Sequence, residues 1–168
     1  MVETRIRWAT ENDAALIVHF IRELAIFEKE PVAQVRITEA DVMRDGFGPH
    51  RRFEVLIAEV DRKAVGFALF FPNYSTWEGK PGLYIEDIFV EESLRGTGIG
   101  RKLIAAVAKI AHSRGCARID LAVLNWNPAR GFYHRLGFRH AEPWQIFRLA
   151  AEELRALSVE APDLSVKP

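Results

Sequence analysis

The sequence predicts an α/β (α+β) fold, a mixed β-sheet covered by helices. Three observations lead there: β-rich runs at 5–9, 53–60, 64–71, 83–90, 117–124 and 144–149, amphipathic stripes of helical period between them, and no linker wide enough to divide the 168 residues. The chain is therefore read as one domain over 1–157, long enough to bury a core. A polar, proline-bearing and loosely ordered tail over 158–168 follows it.

Each element has its own local cause. Residues 5–9 make a short first strand. Leu16, Phe20, Leu24 and Phe27 then recur at helical spacing, with Thr10 or Asp13 as capping residues. Thr38 and Asp41 resemble a capping box, with Asp in place of Glu, opening a short helix that Gly46 ends. The runs 53–60 and 64–71 are joined by "DRK", which reads as a hairpin. "LYIEDIFV", 83–90, is a third strand. A glycine-bearing segment leads from it into a helix whose Leu103, Val107, Ile110 and Ala111 form one stripe, closed by Gly115. "ARIDLAVL", 117–124, is another strand, and 128–136 another helix with Gly137 as its left-handed cap. "WQIFRL", 144–149, is the last strand and 150–157 the last helix.

Composition removes several classes of function. Lys plus Arg equals Asp plus Glu, 23 each, so no net field holds nucleic acid or an anionic membrane. Cys116 is the only cysteine, which excludes an intrachain disulfide and a thiolate-rich metal site and fits a reducing, cytoplasmic location. The charged start "MVETRIRWATEND" lacks the apolar stretch of a secretory signal, and no run reaches the ~18 apolar residues of a membrane span. Histidines 19, 50, 112, 134 and 140 lack the spacing of a metal motif, so no metal is expected.

The segment "EESLRGTGIGRKLI", 91–104, lies between a strand and a helix, where a phosphate-binding loop belongs. Gly96, Gly98 and Gly100 let backbone approach a ligand and permit positive φ. The first turn of the helix offers unpaired N–H groups, and Arg95 and Arg101 add charge suited to phosphate. A Walker loop would end Gly-Lys-Ser/Thr, and a dinucleotide fingerprint would read G-x-G-x-x-G; neither matches. A glycine-rich turn without a ligand remains the plain alternative.

The pattern R-x-x-G-x-G, carried by Arg95, Gly98 and Gly100, resembles the GNAT superfamily of acetyl-CoA-dependent N-acetyltransferases. "NWNPARGFYHRLGF", 125–138, looks like a later block of the same superfamily. The stretches "IRELAIFEK", "ITEADVMRDGFG", "ALFFPNYSTWEGKPGLYIEDIFV" and "EPWQIFRL" narrow the resemblance to the diamine (spermidine/spermine) and thialysine acetyltransferases, over roughly residues 5–150. "FEK", with Phe27 where polyamine enzymes tend to carry Tyr, is more like the thialysine branch. The resemblance implies a mostly antiparallel twisted sheet of six to seven strands with helices on both faces. It also implies a homodimer.

The same resemblance assigns chemistry. Acetyl-CoA is the implied cofactor, its pyrophosphate held by the loop Arg95, Gly96, Thr97, Gly98, Ile99, Gly100 and Arg101. Its pantetheine arm would lie along Ile88, Phe89 and Val90 and by Asn127. Backbone N–H groups at 88–90 would meet the oxyanion, and Tyr133, a phenol of pKa about 10, would protonate the thiolate. An alkylamine of pKa about 10 must lose a proton before it attacks. Glu86 is implied as a water-mediated base and attractor of the cation, with Asp87 assisting. Strand alternation puts Glu86 and Asp87 on opposite faces, and a salt-bridged or edge-exposed pair would explain them as well.

Acceptor binding is expected to use Phe27, Glu28, Trp77, Glu86, Asp87, Glu142 and Trp144, since carboxylates and aromatic faces hold ammonium groups. Solvation explains Glu28 equally, and core or dimer packing explains the tryptophans equally. A small cationic amine is the first acceptor expected; a protein or peptide amine, or a non-catalytic acyl-CoA-binding module, stays open.

Overall fold

The computed structural model describes residues 3–162; of the expected tail, 163–168 lie outside the described residues. The chain divides into two compact units, Met1–Phe132 and Tyr133–Pro168.

The first unit is built on a five-stranded sheet in the order β1-β2-β3-β4-β5. The strands are β1 (Thr4–Trp8), β2 (Glu54–Val60), β3 (Lys63–Ser75), β4 (Lys80–Val90) and β5 (Ile119–Leu121). The first three pairings are antiparallel and the last, β4 with β5, is parallel. The mixed, mostly antiparallel sheet is as expected; among the described residues the strands number five instead of six to seven. β2 and β3 form the expected hairpin, turning at Asp61 and Arg62, both at positive φ (49° and 66°). Two left-handed residues match the twist of the flanking strands.

Helices cover both faces. On one, α1 (Ala14–Phe27) sets Ile17, Phe20 and Leu24 against Val55, Ile57, Phe67, Leu69 and Phe89. Phe20 lies stacked on Phe67 with centroids 5.5 Å apart. Truncating so buried a ring to alanine costs about 3–5 kcal/mol. On the other face, α3 (Ile99–Ser113) sets Leu103, Val107 and Ala111 against Leu56, Ala68, Phe70, Leu83 and Ile85. The stripe read from sequence is thus the buried one, and Gly115 closes the helix at φ 69°. α2 (Glu39–Val42) opens with the expected reciprocal cap: Asp41 N–H donates to Thr38 Oγ1 at 3.2 Å, and Thr38 N–H donates to Asp41 Oδ2 at 2.9 Å. Gly46 does not end that helix. It lies buried inside a π-turn, Met43–Phe47, against the ring of Phe53.

β4 carries the feature that shapes the site. Leu83 and Ile85 enter the α3-side core, and so do Ile88 and Val90. Odd positions give way to even ones, so the alternation slips by one residue. The register locates the slip: Ile85 pairs with Phe70 and Asp87 with Leu69, which leaves Glu86 as the extra residue of a bulge. Glu86 and Asp87 therefore both face α1's side, not opposite sides as strict alternation requires.

The division falls within α4 (Ala129–Arg135); Gly137 (φ 96°), in the second unit, caps the end of that helix as expected, and Tyr133 meets Phe138 edge-on at 5.7 Å. α5 (Ala151–Ser158) is the predicted last helix. The predicted strand 144–149 is not a strand. A strand exists through its ladder, and this segment has none among the described residues; Trp144, Ile146 and Phe147 are exposed, Phe147 to 91%. The predicted strand 117–124 shortens to Ile119–Leu121 for the same reason, since β4 pairs with it only over Leu83–Ile85.

Candidate active site

The glycine loop has the form an anion requires. Gly96 and Gly98 sit at φ 80° and 91°, and a Cβ at either would meet nothing within 4 Å. Glycine is demanded by backbone conformation there, and the space above the loop is open. Gly100 differs: a Cβ would come within 3.3 Å of the Phe132 ring, so it permits close packing. The first α-helical bond of α3 runs from Lys102 N–H to the Gly98 carbonyl (3.1 Å). N–H groups ahead of it have no partner within the helix and are available to a phosphate. Thr97 donates its hydroxyl to the Leu94 carbonyl at 2.6 Å, tightening the turn. Ile99 is 3% exposed, so only its backbone can touch a ligand; Arg101 is exposed.

Arg95 ties this loop to the rest of the unit. Its guanidinium lies 4.2 Å over the Phe27 ring and 5.5 Å from Phe89, while Nε donates to the Val90 carbonyl at 3.0 Å. The two terminal nitrogens remain outside that bond, placed by aromatic stacking for an anion. Phe27 is thus the platform beneath Arg95.

Beyond Ile85 no strand pairs with β4 on the β5 side among the described residues. Alternate backbone groups of 86–90 then point away from β3 without a ladder partner. Ile88, Phe89 and Val90 pack their side chains into the two cores, so only their backbone can serve a ligand. Asn127, 7% exposed, accepts the Ala129 N–H at 2.8 Å and so caps α4, leaving its amide nitrogen as a donor.

On the α1 side, a cleft of about 590 Å³ is lined by Ile21, Val35, Arg36, Ile37, Arg52, Phe53, Leu69, Phe71, Glu86 and Asp87. The bulge explains how both carboxylates reach it. Asp87 is pushed up to about 7, first by loss of hydration against this partly apolar wall, then by the charges of Glu86 and Glu28. Burial, then Glu30, raises Glu28 as well. Asp87 and Glu28 thus bind a proton more tightly than isolated carboxylates, and the negative field around them attracts an ammonium.

Of the other expected residues, Trp77 stands at the β3–β4 tip, 84% exposed. Tyr133, Glu142 and Trp144 belong to the second unit, where Glu142 pairs with His140 at 3.0 Å and Trp144 is exposed. Arg36 and Arg52 escaped the sequence reading because neither lies in a motif. Leu69 and Phe71, two apart on β3, could have been placed on one face by alternation. Among the described residues, no group of three or more His, Cys, Asp or Glu could hold a metal, and no helix is long and apolar enough to cross a membrane.

A sheet whose β4 edge opens beside a glycine loop, with carboxylates on the adjoining face, defines an acyl-coenzyme-dependent transferase. The acetyltransferase (GNAT) family profile matches residues 18–138, and the chain belongs to that family. It is similar to the thialysine N-epsilon-acetyltransferase of Mus musculus, 42% identical over 94% of this chain and 99% of that protein. It is 35% identical to the spermidine/spermine N(1)-acetyltransferase-like protein 1 of Homo sapiens, over 93% of this chain and 24% of that longer protein. Among solved structures, an aminoglycoside N-acetyltransferase in complex with CoA matches the fold with a TM-score of 0.71, at 22% identity over 90% of this chain and 97% of that one. The protein is an N-acetyltransferase, and its family uses acetyl-CoA. The open loop and its arginines fit that coenzyme's diphosphate.

Proposed function

We propose that the enzyme transfers the acetyl group of acetyl-CoA directly to the primary amine of a small cationic acceptor, a diamine, polyamine or thialysine-like amine. The carrying observation is the bulge that turns Glu86 and Asp87 together into one cleft, two residues from the Phe89 backbone where the thioester would lie. The loop from Arg95 to Arg101 holds the diphosphate, and Asn127 donates to the pantetheine arm. Glu86, the exposed carboxylate, meets the ammonium. The proton passes through water to the Glu86–Asp87 pair, of which Asp87 has the affinity to accept it near neutrality.

The freed nitrogen attacks the thioester carbonyl; the C–N bond forms, the oxyanion is met by backbone N–H groups of 88–90, and the C–S bond breaks. On the family resemblance, Tyr133 gives its proton to the departing thiolate, and the second proton shed by the nitrogen as the amide forms returns through water to the tyrosinate. Phe27, Glu28 and Trp77 complete acceptor binding within the first unit; the family resemblance alone gives Glu142 and Trp144 the same role, and it alone supports a homodimer and a cytoplasmic location.

The test is continuous thiol release from acetyl-CoA over a panel of diamines, polyamines, amino acids and peptides. Wild type is compared with Tyr133→Phe and Glu86→Gln. We expect turnover with small amines, falling about 10²–10⁴-fold in each variant. Unchanged turnover in both variants rejects these roles. Reaction with peptides alone rejects the small acceptor, and coenzyme binding without thiol release for any amine rejects catalysis.

A further inference from the structure

Three consecutive residues at the end of α1 reach three separate parts of the first unit. Phe27 lies under the guanidinium of Arg95 in the glycine loop. The charge of Glu28 acts on Asp87 of β4. Lys29 extends to the turn that follows β5, where its ammonium stands 4.6 Å from the centroid of the Trp126 ring. That ring is 44% exposed, so the contact lies at the surface of the unit.

Lys29 occupies a position that usually belongs to glycine. Its N–H donates to the Ile26 carbonyl at 3.0 Å, and Glu30 N–H donates to the Ala25 carbonyl at 2.9 Å. These paired bonds close a helix whose next residue turns left-handed, and Lys29 stands there at φ 60°. The same closure ends α3 and α4, with Gly115 and Gly137 in the left-handed place. Two helices thus close on glycine, while α1 closes on a lysine held in a conformation that side chains disfavour.

The contact spans a gap in the sheet. Beyond Ile85, no ladder among the described residues joins β4 to the chain that leaves β5. That chain turns at Trp126: Asn127 N–H donates to the Leu124 carbonyl at 3.0 Å, and the Asn127 side chain then caps α4. The end of α1 has a firmer seat, since Phe27 packs against the core that holds Phe89 of β4. An ammonium over an aromatic face is attractive, most of all over tryptophan. We infer that Lys29 is a positioning residue for the coenzyme: its ammonium on Trp126 ties the 125–127 turn to α1 across the open edge of β4, and so fixes the place of Asn127. This rests on the coenzyme reading above and adds to it a residue that acts only through another.

The test measures CoA affinity by calorimetry beside the melting temperature of the free protein. Lys29→Met removes the charge and keeps a side chain on the left-handed residue; Trp126→Leu removes the ring. Each is expected to weaken CoA binding about fivefold, and the double variant no further than either one. Lys29→Arg keeps a cation for the ring and should stay within about twofold of wild type. Lys29→Gly gives the cap its usual residue, so it should melt above Lys29→Met while binding CoA just as weakly. Affinity then follows the charge, and stability follows the backbone. An affinity unmoved by Lys29→Met, additive losses in the double variant, a Lys29→Arg as weak as Lys29→Met, or an affinity that tracks melting temperature across the set overturns the inference while leaving acetyl transfer intact. A wild type that does not bind CoA overturns the coenzyme reading and this inference with it.

Discussion

The loop proposed for the coenzyme and the cleft proposed for the acceptor are built in opposite ways. The loop is one contiguous stretch, Arg95 to Arg101, in which backbone N–H groups would do the binding and side chains hold the turn in shape. The cleft is gathered from α1, two loops, β3 and β4, and side chains would do the binding. Backbone conformation is therefore the weak point of the first, and charge the weak point of the second. A substitution that damages one should leave the other nearly untouched.

The largest effect should come from Gly98→Val. A β-branched residue at φ 91° is strained wherever it sits, although no neighbour obstructs it. Relieving that strain displaces the N–H groups ahead of Lys102. Acetyl-CoA affinity measured by calorimetry is expected to fall about 30-fold or more, with little change in the melting temperature of the free protein. Affinity within twofold of wild type would mean that the loop's backbone does not hold the coenzyme.

Asp87→Asn probes the cleft through stability. The folded state raises this carboxylate to about 7, above an unfolded value of about 4. The folded protein thus binds the proton more tightly, and stability declines as pH climbs from about 4 through about 7. Asparagine cannot ionise. The variant should be more stable than wild type by up to about 4 kcal/mol at about pH 8, with the advantage shrinking toward zero near pH 4. Thermal unfolding at several pH values reads this directly, and a pH-independent difference would deny the shift.

The two regions also differed in how far the sequence disclosed them. The loop was legible because its requirements are local: two left-handed glycines, a strand before, a helix after. The Thr38–Asp41 cap, the 61–62 turn, and the glycine stops at 115 and 137 were legible for the same reason. The cleft was half legible. Glu86 and Asp87 announced themselves as carboxylates in an apolar strand, but their common face depends on a two-against-one register with Leu69 and Phe70. Pairing with a distant strand sets that register; nothing within "YIEDIFV" does. Arg36 and Arg52 have no motif at all and gain meaning only from what they face. The segment 144–149 shows the converse, since its apolar, β-prone residues carry no ladder among the described ones.

The most direct test of the account is the pH dependence of kcat/KM for a small amine, in wild type and in Asp87→Asn. An enzyme that takes the ammonium proton onto the cleft's carboxylates must first ionise them. In wild type, kcat/KM should rise about tenfold per pH unit up to about 7 and then level. In the variant that rise near 7 should vanish and the plateau should drop about 10²-fold or more. A variant that keeps both the limb near 7 and the wild-type plateau would contradict the assignment of proton transfer to the bulge in β4.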